Sequence, residues 1–410
     1  MTTTVLAHGA LFDGRSPDLK EGLAVVVEDG RIKDLAERPS TSADTRVIDV
    51  RGRTVMPGLI DAHFHAIAAD ANLAKLEQMP ASLIAQFARR HLEAALMRGF
   101  TTVRDAGGAD YGLAAAIRDG LIKGPRLFYA GKALSQTGGH GDFRSYEQPL
   151  ICPCCQGGTA LARIADGVTE VRRAARDELR KGASQIKIMA SGGVASPSDP
   201  IWNLQYSDEE IAAAVWEARA WKTYVMAHAY TAEAIRRCLE QGVRSIEHGN
   251  LIDRETAALA KARGAFVVPT LVTYEALAEF GAKLGLPPAS VAKIDDVRTA
   301  GLVALEHLKE AGVEVGFGSD LLGEMHAQQS REFLIRAEVF SPFEILVSAT
   351  SGNARLLDRG GVLGEITPGA KADLIVVDGN PLEDLHVLTG QGEGIPLIMR
   401  GGEIVKNALA

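Results

Sequence analysis

Cysteine is scarce, a basic excess is missing and no long apolar run occurs; each absence narrows the reading. Four cysteines in 410 residues are too few for a disulfide scaffold. Three of them crowd into CPCC, at Cys152, Cys154 and Cys155, with Cys238 far away. No further ligand at zinc-site spacing flanks them, so CPCC reads as a loop feature, with redox or metal binding as the lesser alternative. The net charge of -8 leaves no electrostatic footprint for nucleic acid. No stretch approaches the roughly 18 consecutive apolar residues of a membrane span. The first residues, MTTTVLAHGALFDG, have neither a basic region nor an uninterrupted apolar one of the signal-peptide kind. A cytoplasmic location is the expectation, with an upstream export signal left open.

What is present is ordinary globular composition, 46% hydrophobic and 23% charged, in a chain long enough for a full core. Residues 1–56 read as short strands and turns, with Asp29-Gly30 as a hairpin turn. Residues 360–410 have the same character, as in GVLGEITPGAKADLIVVDGNPLEDL and PLIMRGGEIVKN. Neither piece buries a good core alone, so the two are expected to combine into one small β-sandwich domain.

Residues 57–359 alternate short apolar runs with longer helical stretches. The expected strands are LIDAHFHA, TTVRDAGG, RLFYAG, QIKIMAS, YVMAHAY, SIEHG, FVVPTL and EVGFGSD; VTEVRRAARDELRKG and VRTAGLVALEHLKEAG are among the expected helices. This alternation predicts an α/β fold built on a (β/α)8 TIM barrel. A doubly wound open sheet is the alternative, but its Gly-rich dinucleotide fingerprint is absent.

Barrel active sites lie where strands end, and here those ends carry metal ligands. His63 and His65, two residues apart on the first strand, point inward together with Asp61. The fourth strand carries Lys187 between Ile186 and Ile188, the fifth His228, the sixth His248, and the eighth ends in Asp320. Any one of these histidines could be a hydrogen-bonded core imidazole. Four of the ten histidines at the ends of three barrel strands form a ligand set instead, while His8, His91, His307 and His386 read as structural or exposed. Imidazole and carboxylate favour zinc or a similar divalent ion, with manganese, iron and cobalt left open.

PGLIDAHFH, the separate strand histidines, GSD and PGAKADLIVVD together resemble the metal-dependent amidohydrolase superfamily over essentially the whole sequence. QIKIMASGG, TGGHGD and AHAYT are similar to its branch of Xaa-Pro and Xaa-Arg dipeptidases, N-acyl amino acid hydrolases and ochratoxin-hydrolysing amidohydrolases. The resemblance implies two divalent ions per chain: His63, His65 and Asp320 hold the first, His228 and His248 the second. Lys187, carboxylated by carbon dioxide, bridges both. It also implies a homo-oligomer, often an octamer, acting on a small amide or dipeptide.

By the same resemblance, a bridging hydroxide attacks the amide and Asp320 moves the proton to the leaving amine. His140, in TGGHGDFRS, is a candidate to bind the scissile carbonyl or oxyanion, and Tyr230 the same carbonyl or a substrate carboxylate; packing at the barrel mouth is the alternative for each. Arg331 would suit a substrate carboxylate, with a surface ion pair as its competing use. His326, Gln328 and Gln329 are further wall candidates, and Phe143, Trp202, Leu204 and Tyr206 offer apolar surface for pocket or core. Asp61 is read either as orienting a ligand histidine or as capping backbone. The expected substrates are Xaa-Pro, Xaa-Arg or N-acyl aromatic and hydrophobic amino acids, ochratoxin A among them. Cyclic-amide hydrolysis of the hydantoinase or dihydropyrimidinase type is the alternative chemistry, and a non-catalytic scaffold the alternative class.

Overall fold

The computed structural model describes residues 3–144, 161–196 and 199–409, so CPCC lies outside the described residues. Its centre is a (β/α)8 barrel. The strands run Leu59–Phe64, Phe100–Asp105, a third in two pieces (Arg126–Tyr129 and Ala133–Ser135), then Ile186–Met189, Val225–Thr231, Ser245–Leu251, Phe266–Val268 and Glu314–Val315. The first piece of the third strand pairs with the second strand and the other piece with the fourth, and the barrel pairings are parallel throughout. Closure comes from the amides of Ala62 and Asp320, which donate at 2.8 Å to the carbonyls of Phe317 and His63 respectively.

Local sequence explains the helices that cover this ring. Asp208–Ala220 begins at Ser207, whose side chain accepts from the Glu210 amide in a reciprocal capping box. Losing such a cap costs roughly 1 kcal/mol. The helix buries Ile211, Ala214, Val215 and Ala218, one stripe at helical spacing, in the apolar cluster that holds Ile186, Ile188, Val225 and Ala227 of the fourth and fifth strands.

Two expectations change in detail. The helix expected over VRTAGLVALEHLKEAG begins only at Gly301 and ends at Gly312, which takes the left-handed conformation at φ 66°. The chain before it forms short helices, Leu271–Ala276, Pro288–Val291 and Ile294–Arg298. Gly285, Pro287 and Pro288 interrupt helical continuity there. The seventh and eighth strands are also shorter than FVVPTL and EVGFGSD suggest. Past Val315 the chain runs tight against the first strand, where a Cβ on Gly318 would stand 2.7 Å from the His63 Cβ.

The terminal segments form two sheets. One contains Thr3–Ala7, Ala24–Glu28, Arg31–Ala36 and Thr45–Asp49, with Asp29 and Gly30 both at positive φ in the expected hairpin turn. The other interleaves Ala10–Leu11 and Thr54–Pro57 with Leu374–Val377, Leu397–Arg400 and Glu403–Asn407. Leu6, Val25 and Ile32 of the first sheet share one apolar cluster with Val55, Leu374 and Leu397 of the second. No helix among the described residues is long and apolar enough to cross a membrane.

Candidate active site

The first strand delivers two imidazoles with their free nitrogens aimed at one carboxylate. Nδ1 of His63 lies 2.7 Å from Oε2 of Glu247, and Nδ1 of His65 lies 3.1 Å from the Gly107 carbonyl. Both partners accept, so the protons are assigned to Nδ1 and each Nε2 presents a lone pair. Those Nε2 atoms stand 3.4 and 3.2 Å from Oδ1 of Asp320. The donor atoms of His63, His65 and Asp320 all lie within 4.8 Å of one another. Two lone pairs and an anion facing one another at this range repel unless a cation sits among them. The residues therefore fit a divalent ion.

A second group of candidate ligands, His228 and His248, comes from the fifth and sixth strands. His228 donates from Nε2 to the Gly192 carbonyl at 3.1 Å, and Nδ1 of His248 lies 2.8 Å from Oγ1 of Thr270. Their rings are 4.6 Å apart, and the His63 ring is 4.9 Å from that of His248. His248, Thr270 and Asp320 all hold positive φ, at 72°, 48° and 53°. Non-glycine residues occupy that region at a cost, and here it turns side chains into the mouth at the ends of the sixth, seventh and eighth strands.

Lys187 lines the same cavity, 2% exposed. Burial pushes its amine down to about 8, against the pull of Glu247 and Asp320. Burial also holds His228 and His248 well below the ordinary imidazole range, which keeps them neutral and able to ligate.

The Amidohydrolase family pattern matches residues 54–405. The chain belongs to the amidohydrolase family. Its relatives include the ochratoxinase of Aspergillus niger, 33% identical over 421 residues, covering 98% of this chain and 86% of that one. A solved prolidase complexed with N-methylphosphonate-L-proline is 54% identical with a TM-score of 0.97, covering 99% of this chain and all of that one. A Xaa-Pro dipeptidase with methionine bound in its active site is 32% identical with a TM-score of 0.88, covering 99% and 100%. The protein is accordingly a hydrolase of amide bonds.

In this amidohydrolase, His63, His65, Lys187, His228, His248, Asp320, His140, Tyr230 and Phe143 all line one cavity. The His140 ring stacks on His228 at 4.1 Å, and the Tyr230 hydroxyl accepts from Tyr274 at 2.9 Å. Other expectations fall elsewhere. Arg331 pairs with Glu279 at 2.9 Å on the surface and does not reach the cavity, because its short helical segment turns it outward. His326 is buried against His91, with rings 4.1 Å apart, rather than at the wall. Gln329 donates to Asp61 at 2.8 Å, and Gln328 accepts from Arg331. Trp202 is 70% exposed, Leu204 is also exposed, and Tyr206 is buried in the core. Asp61 caps backbone: it accepts from the amides of His63 and Ser319 and braces the first strand against the eighth.

Several residues escaped sequence reasoning. Glu247 braces His63 and also accepts from Arg104 at 2.9 Å, both fully buried. The signal was available in SIEHG, a charge inside an otherwise apolar strand, as with Lys187. Thr270 and Tyr274, from the segment after the seventh strand, carry no such mark.

Proposed function

We propose that this amidohydrolase holds two divalent ions, zinc being the ion its donors favour, and cleaves the amide between an acyl group and a C-terminal amino acid, with Xaa-Pro dipeptides as the first substrate class. The observation that carries this reading is the convergence of His63, His65 and Asp320 beside His228, His248 and buried Lys187 in one cavity. His63, His65 and Asp320 would hold one ion and His228 and His248 the other. A neutral Lys187 amine adds carbon dioxide with loss of one proton, and the resulting carbamate would serve both ions.

Bound there, the ions supply a water of lowered pKa and polarise the scissile carbonyl. Asp320, as a carboxylate, would take the proton of the attacking water and pass it to the departing nitrogen. His140, on the cavity wall, would orient the carbonyl oxygen by donating from Nε2–H. Among the described lining residues there is no arginine, so Tyr230, with Tyr274 donating to it, is the proposed partner of the substrate carboxylate.

The similarity to a prolidase and a Xaa-Pro dipeptidase supports the proline class, and that to an ochratoxinase supports N-acyl phenylalanine amides, ochratoxin A included, as a second class. A homo-oligomer in solution is part of the same proposal. The test is hydrolysis by the metal-loaded protein of a panel holding Xaa-Pro and Xaa-Arg dipeptides, N-acyl phenylalanine, ochratoxin A and a cyclic imide. Cleavage of the dipeptides supports the reading; turnover of the cyclic imide alone overturns it.

A further inference from the structure

The loop after the fourth strand is pinned from outside the cavity by one side chain. Lys293, immediately before the short helix Ile294–Arg298, donates from Nζ to the carbonyls of Gly193 at 2.5 Å, Ser196 at 2.8 Å and Asp199 at 3.0 Å. An ammonium has three donors and no acceptor, so this loop takes every hydrogen bond the side chain can make. Three carbonyl oxygens turned toward one point repel one another, and the cation between them reverses that. Buried Ser290 adds longer contacts, its hydroxyl reaching the carbonyls of Ala195 and Ser196 at 3.4 and 3.5 Å.

What the pinned loop holds is His140. Nδ1 of His140 lies 2.7 Å from Oγ of Ser196, and the Ser196 hydroxyl donates in turn to Oδ1 of Asp199. With that single hydroxyl proton spent on the carboxylate, Ser196 accepts from His140 Nδ1 and fixes the ring's orientation, so a carbonyl oxygen would be met by Nε2–H of the doubly protonated ring, whose charge faces Asp199 Oδ2 at 3.7 Å from Nδ1. The other Asp199 oxygen accepts from the Gly193 amide at 3.2 Å and from Gln205 Nε2 at 2.9 Å, while Gln205 Oε1 accepts from the His140 amide at 2.8 Å. The imidazole packs on Gly193 so closely that a Cβ there would stand 2.2 to 2.6 Å from the ring. Asp199, Ser196 and Gln205 are all at least nine-tenths buried, so water does not compete for these bonds.

We infer that Lys293 is a positioning residue for amide hydrolysis: by holding Gly193, Ser196 and Asp199 together it sets the angle at which His140 meets the scissile carbonyl. The inference rests on the hydrolase reading above and adds a part remote from the metal ligands, donated by the short helices after the seventh strand. It predicts a cost in turnover rather than in substrate affinity, because misplacing a catalytic group by about 1 Å can cost on the order of 100-fold in rate.

The test is a cycle of Lys293→Met, His140→Ala and the double variant, on the metal-loaded protein with its best substrate. Lys293→Met keeps the side-chain length and removes all three donors. Expected are a kcat lowered roughly tenfold or more with KM within about twofold, and a double variant no slower than His140→Ala within about twofold. Losses that multiply, or an unchanged kcat in Lys293→Met, overturn the inference. If Lys293→Met does not fold, Ser196→Ala leaves the lysine contacts in place and cuts the link to His140; the same loss without additivity is expected, and full activity overturns the inference. A crystal structure of Lys293→Met, or of Ser196→Ala in its place, needs no substrate: displacement of the His140 ring sustains the positioning role even if the panel shows no hydrolysis, and an unmoved ring overturns it.

Discussion

Nδ1 of His63 and Oε2 of Glu247 lie 2.7 Å apart in a barrel interior where both side chains are almost wholly withdrawn from water. That bond fixes which nitrogen of His63 turns toward Asp320, and the Arg104 guanidinium at 2.9 Å keeps Glu247 charged where burial would neutralise it. The candidate ligand His63 is thus aimed by a carboxylate of the sixth strand.

Glu247→Gln leaves the shape of this contact and removes its charge. Partners of metal-ligating histidines typically account for about 10–100-fold in metal affinity. The expected result is a fall of that size, read by competition with a chelator of known affinity. An unchanged affinity would mean that the Glu247 contact does not tune His63.

His91 gives a pH dependence outside the ligand set. Burial pushes its imidazole from 6.5 down to about 4, with the Ala66 carbonyl, 3.1 Å from Nδ1, opposing the shift. The folded state therefore binds its proton less readily than the unfolded one. Stability from this group is complete above pH 6.5 and declines as the pH falls toward 4, a loss on the order of 3 kcal/mol at the limit. Urea melts of the wild type and of His91→Leu between pH 7 and about 5 should differ in slope, the variant losing stability less steeply. Parallel slopes would contradict the assignment.

Arg331 supplies a control. Its ion pair with Glu279 is solvent-exposed, and such pairs contribute about 0–1 kcal/mol. Arg331→Met should change kcat/KM by less than about twofold and stability by less than about 1 kcal/mol. A tenfold rise in KM would show that the guanidinium swings in to meet substrate.

The sequence made the barrel and its strand-end candidate ligands legible for one reason. Imidazole, carboxylate and amine groups are rare inside apolar strands, so His63, His65, Lys187, His228, His248 and Asp320 stood out against their neighbours. Most of their supports did not, and Glu247, which carried the same mark in SIEHG, gave no local hint of its partner. The His63–Glu247 contact joins positions 184 residues apart, and pairing across a closed barrel decides it, not local pattern. Tyr274, in a short helix, and Lys293, just before another, lie between the seventh and eighth strands, where glycines and prolines break the helical period. His326 and Arg331 misled because a run of polar residues after Asp320 looks the same whether it faces the cavity, the core or water.

The central claim is that Lys187 serves two ions rather than packing as a core lysine. Metal content per chain, measured with dipeptide hydrolysis on the wild type and on Lys187→Ala, tests it most directly. About two divalent ions per wild-type chain, with metal and activity lost together in the variant, is the predicted result. A variant that keeps both ions and full turnover would contradict it and return Lys187 to a structural role.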